Sequence, residues 1–176
     1  MTELNVENVV STDRQYMFLN YGKDYRWYES CILLDNYLDA DTTVTVAGVS
    51  NVFQVMVDHE EGSLDTKVIL SSHTVNANSI EEKHGFWVED QPLNNEEIKL
   101  TFTDALESVY EANAPKPHSK HVVLRKELGP VAANAQYIFG NSEAQLYVDA
   151  VTGEVSTENP VYKGMNFKVE RPNEWK

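Results

Sequence analysis

A single cysteine, Cys31, is the first scarcity that narrows the possibilities. One thiol can form neither an intrachain disulfide nor a thiolate metal cage, so the chain must hold itself together by a packed core. Its neighbours Ile32, Leu33 and Leu34 suggest a small buried hydrophobe. Glu29 and Asp35 close by would raise the thiol pKa, which argues against a nucleophile. Glycines are few and scattered, and there is no Gly-x-Ser-x-Gly elbow, P-loop or dinucleotide glycine motif. No run approaches the ~20 apolar residues that cross a bilayer, so no membrane insertion is expected. The opening stretch MTELNVENVVSTDR lacks a basic segment followed by an apolar one. As written the chain is therefore expected in the cytoplasm, and outside it if a signal peptide has been removed.

Basic side chains are also scarce. Lys and Arg total 14 against 28 Asp and Glu, a net charge of −14. The imbalance is local: residues 1–115 carry 6 basic and 21 acidic side chains, residues 116–176 carry 8 and 7. Such a surface repels phosphate backbones and excludes nucleic acid as a partner. The acids are dispersed as singles and pairs, the pattern of a solvated surface that could also meet a basic protein or peptide.

What is present is material for a core. Hydrophobic residues make up 41% of the 176, including three Trp, nine Tyr and six Phe, which suits one domain or two small ones. Strands are expected at 15–20, 42–47, 52–57 and 67–72, with Gly48 interrupting the second and third. Residues 25–34 fit a helical face and a strand face alike, and their aromatic and β-branched content favours a strand. Residues 76–83 read as a polar stretch with one helical turn, 84–88 as a short strand, and 90–95 as a boundary.

Beyond it, 98–102 reads as a strand and Thr103 as the N-cap of a helix to about Ala112, with Ala105, Leu106, Val109 and Tyr110 forming its apolar stripe. Strands follow at 121–125, 136–139, 145–148, 154–156 and 167–169. No internal repeat is visible. The expected fold is α+β and mostly antiparallel, with one helix (103–112) packed on a small C-terminal sheet. An acidic β-rich part (1–95) and an α+β part (96–176) should form one cooperative unit.

Few constellations carry chemistry. Asp58, His59 and Glu61 supply metal-ligating groups, but successive strand residues face opposite ways, so a solvated turn is expected and no cofactor is implied. Ser71, Ser72 and His73 lie along one strand and do not make a triad. Lys116, Lys120, Arg125 and Lys126 form a basic stripe expected to face the acidic part of the same chain. Aromatics crowd the first forty residues. Trp27 and Tyr28 are the candidates for a groove that takes a ligand or peptide, with Lys120 and Arg125 for a partner.

Residues 98–156 contain Leu100-Thr-Phe102, the helix start Thr103-Asp-Ala-Leu-Glu107, and then Tyr147-Val-Asp-Ala-Val-Thr-Gly-Glu-Val155. This third of the chain resembles the PepSY domain family, in which a Thr-capped helix packs on a small antiparallel sheet closed by such a hairpin. Asp149, Thr152 and Gly153 are turn-formers in that motif. The resemblance implies a non-catalytic binding or regulatory module with a protein or peptide partner. A small-ligand binder or enzyme using an aromatic and acidic N-terminal cleft is the alternative.

Overall fold

The computed structural model describes residues 3–58 and 64–165. The expected strand at 167–169 lies outside the described residues, as do His59 and Glu61.

The chain opens with a helix. Residues 15–20, expected as a strand, belong to α1 (Val6–Tyr21), which Asn5 caps by accepting from the Asn8 amide and Gly22 ends in a positive-φ conformation. Val6, Val10, Asp13 and Met17 are its buried face. A carboxylate occupies one position of that stripe, so the apolar periodicity is broken and the aromatic content of 15–20 misleads.

Four strands follow: β1 (Arg26–Leu34), β2 (Val46–Asp58), β3 (Leu64–Thr74) and β4 (Asn78–His84). Gly48 does not interrupt β2, which runs unbroken past Leu33 of β1, while 42–45 is not strand. Residues 78–84 form an edge strand rather than a helical turn. All seven are exposed, which explains their polarity on both faces, and Glu81, Glu82 and Lys83 discourage pairing with another chain. Residues 86–88, expected as a strand, are irregular. The expected boundary is stitched into the sheet by β5 (Asp90–Gln91), which pairs with Lys126 and Glu127, and by a bridge from Leu93 to Trp27.

The second helix, α2 (Phe102–Glu111), is capped by Thr101, two residues before the expected cap Thr103. Thr101 and Asp104 form a reciprocal capping box, and residues 98–101 are not strand. Phe102, Ala105 and Val109 are buried, Leu106 is half-buried, and Tyr110, expected inside, is 42% exposed. Then come β6 (His121–Glu127), β7 (Gln136–Asn141), β8 (Ala144–Asp149) and β9 (Val155–Ser156).

All strand pairs are antiparallel, and they make one sheet in the order β4-β3-β2-β1-β6-β7-β8-β9. A helix followed by a meander occurs twice, α1 with β1–β4 and α2 with β6–β9. The first strands of the two meanders, β1 and β6, pair at the centre. The topology is thus a tandem repeat that the sequence does not display. Both helices pack on one face, in a single core that includes Val10, Met17, Ile32, Phe53, Val109, Leu124 and Phe139. The halves are also tied helix to helix: the Phe102 amide, a free donor at the start of α2, bonds Glu7 Oε1 of α1 at 2.6 Å. Among the described residues, neither α1 nor α2 packs on the opposite face of the sheet.

Candidate functional site

The helix-free face carries three cross-strand rows where the halves meet. Glu29 lies opposite Arg125, Cys31 opposite Val123, and Leu33 opposite His121. Strand alternation puts these residues on the side away from Ile32 and Leu34, which enter the core.

Two segments cover the flanks of this face. On one side the 85–93 strap lays Trp87 against a small cluster of Tyr28, Val52 and Val68. The Trp87 amide donates to Gln54 Oε1 (2.7 Å) and the indole Nε1 to Asp90 Oδ2 (2.9 Å). Phe86 and Val88, on either side of the half-buried Trp87, are 74% and 73% exposed. On the other side, Asn159 donates to Glu127 Oε2 (2.7 Å), and Val161 is buried against Gly129. A Cβ on Gly129 would sit 2.5 Å from the Val161 side chain, so this close approach needs glycine.

Between the flanks lies a charged cluster. Arg125 bonds Glu127 and lies 3.8 Å from Asp90 through Nε, with Glu29 across the strand pair. Glu29 and Asp90 are 8% and 5% exposed, and Glu29 Oε2 and Asp90 Oδ1 find no donor. A proton on Glu29 would give the two neighbouring carboxyls a donor between them and resolve the shortage. Burial first, and then the Asp90 hydrogen bond, push the Glu29 pKa up to about 7. Burial opposes charge on Arg125, yet the Glu127 bond and the surrounding carboxylates raise its pKa. Cys31 donates Sγ–H to Glu29 Oε1 (3.1 Å), and burial followed by the Glu29 charge pushes the thiol up to about 12. Such a thiol stays protonated and is a poor nucleophile.

The sign of the resulting pH dependence follows. Because the folded Glu29 pKa lies above its ordinary 4.5, the protonated form favours folding, and that contribution is lost as pH rises from about 4.5 to about 7. Urea unfolding across this window should show Glu29→Gln gaining on wild type as pH rises. A constant difference between the two proteins would mean that Glu29 titrates normally.

The residues singled out in the sequence do not converge. Trp27 is buried in the helix-side core and Tyr28 on the helix-free face under Trp87, so they cannot line one groove. Lys120 Nζ lies 4.9 Å from the Tyr37 ring, which stacks on His118 at 4.0 Å. Arg125 faces Asp90 and Lys126 faces Glu97 at 3.8 Å, both within the acid-rich residues 1–115 although Glu97 lies beyond the expected boundary, whereas Lys116 donates to the Ala112 and Ala114 carbonyls. The four do not form one stripe, because neighbouring residues 125 and 126 point to opposite faces. Asp58 closes β2, and among the described residues no three His, Cys, Asp or Glu side chains are placed to hold a metal ion together.

Sequence reasoning missed two buried polar groups. One is the Glu29–Asp90 pair, separated by too many residues for any local signal. The other lies under α1, where Asp13 accepts from Asn51 Nδ2 (2.8 Å) and Ser71 Oγ and meets His73 Nε2 at 2.7 Å. Serine, histidine and aspartate meet here in the wrong order for catalysis. Ser71 donates to the carboxylate rather than to the imidazole, so no base activates its hydroxyl.

Comparison with family models, curated proteins and solved structures finds no match. No described helix is long and apolar enough to cross a membrane.

Proposed function

We propose that the chain is a non-catalytic interaction protein that docks a basic protein partner on the helix-free face of its sheet. The observation that carries this reading is the partly exposed apolar row at the centre of that face. Leu33, 41% exposed, stands beside half-buried Cys31 and Val123, and the neighbouring strap holds Phe86 and Val88 out to solvent. Large exposed side chains on a strap whose own indole is anchored are suited to a partner surface. The excess of acid in residues 1–115 selects a basic partner by steering and by repulsion of acidic ones. The order of α2, β6, β7 and the β8–β9 hairpin, which resembles a PepSY domain, is consistent with a binding or regulatory module.

The test compares wild type, a Phe86→Asp/Val88→Asp variant and a helix-side control, Phe18→Asp, as immobilised bait for basic proteins at low and high salt. A partner retained by wild type and control, lost by the strap variant and weakened by salt supports the reading. Equal capture by all three baits overturns it.

A further inference from the structure

At the end of the sheet where β1 begins, α1 and the following turn border an open cavity of about 370 Å³ that the docking reading does not use. Its wall holds Arg14, Lys23 and Arg26 together with Phe18, Tyr25 and Trp27, and the 92–93 segment closes one side. No carboxylate lines it. That composition runs against the rest of the chain: residues 1–115 contain only six basic side chains, and three of them meet here.

None of the three makes an ion pair with another described residue. Elsewhere cations find acids, as Lys67 does with Glu82, Lys83 with Glu81 and Lys126 with Glu97. In a protein with a twofold excess of carboxylates, three cations around one concavity that pair with no described acid focus a positive potential there. The site is also held in place. The Arg14 guanidinium lies over the Trp27 ring at 6.0 Å, and the indole is fixed by burial and by its bond to Ser30 Oγ (3.2 Å). Asp13, the residue before Arg14, is tied into the sheet through Asn51 and His73, which sets the angle of the helix. Tyr25 is braced edge-on against Phe53 at 5.9 Å, while Phe18 is 57% exposed at the mouth.

We infer that this cavity binds a small organic anion, with a carboxylate or phosphate head held by Arg14, Lys23 and Arg26 and a flat apolar body against the aromatic wall. The guanidinium fork of arginine matches either head bidentately. The volume accommodates a body of one or two fused rings.

Calorimetry on the full chain at low salt tests this with 1-naphthoate, 1-naphthyl phosphate, the neutral 1-naphthalenemethanol and inorganic phosphate. One or both aromatic anions should bind one-to-one, at least about tenfold tighter than the neutral alcohol, the difference expected of a charge-assisted bond. Whichever anion binds tighter identifies the head, and inorganic phosphate alone should bind weakly. Arg14→Gln/Arg26→Gln should weaken the aromatic anion by about tenfold or more, with Lys83→Gln on β4 unchanged. Should the Arg14 variant unfold, Lys23→Gln/Arg26→Gln at exposed positions serves instead. No binding by either aromatic anion, or equal binding of anion and alcohol to wild type and variant, overturns the inference.

Discussion

Asp13→Ala is expected to lower the unfolding free energy by about 3–5 kcal/mol, the usual cost of removing one member of a buried charged network. Its carboxylate is the acceptor on which the packing of α1 against the sheet converges. Asn51 Nδ2, Ser71 Oγ and His73 Nε2 all face it. The chain of bonds continues through Asn51 Oδ1, which accepts from Ser30 Oγ at 2.5 Å, to the Trp27 indole. Asn51, Ser30 and Ser71 are buried, so water cannot replace the lost acceptor without opening the core. Asp13→Asn keeps the volume but turns an amide donor toward two others, and should cost less than alanine. Urea denaturation at neutral pH measures both. A loss below about 1 kcal/mol for alanine would place the network in the class of exposed, water-compensated bonds.

Phe139→Ala should cost about 3–5 kcal/mol, because a fully buried ring leaves a cavity that the sheet cannot close. Phe139 is 0% exposed, lies opposite Val122 on β6 and Leu146 on β8, and stacks with Phe102 of α2 at 6.2 Å. Asp13 belongs to the first helix-and-meander unit and Phe139 to the second, so the pair of variants also tests cooperativity. The sheet crosses from one unit to the other through β1 and β6, and Glu7 caps α2 across the same seam. Both variants should therefore shift a single unfolding transition seen by tryptophan fluorescence and by far-ultraviolet dichroism. Two separated transitions, each sensitive to one variant only, would show that the units unfold independently.

Local chemistry alone was enough for several elements. The stripe of Ala105 and Val109 and the capping residues around 101–104 mark α2, and short runs of β-branched, aliphatic and aromatic residues mark β3, β6, β7 and β8. In each, the residues that form the element also carry its signal, even in β7, whose first four residues are buried on both faces. The scarcity of cysteine and of clustered glycine, and the acidic excess in residues 1–115, are likewise properties of composition.

Tertiary structure decided the rest, for three physical reasons. Polar groups buried by distant partners break local patterns. Asp13 interrupts the face of α1, and its partners Asn51 and His73 lie on strands that no spacing connects to it. Edge position changes what a strand needs, so β4, exposed on both faces, has no alternation to read. The tandem repeat is hidden because its halves share an order of elements but not their lengths. A 16-residue helix matches one of 10, and strands of 13 and 11 residues match two of 6, so aligned positions do not recur at a fixed period. For the same reason the helix-free face and the cationic cavity emerge only when β1 meets β6 and when α1 folds over the start of β1. Both sites are assembled from residues that belong to different elements, and only chain folding brings them within a few ångströms.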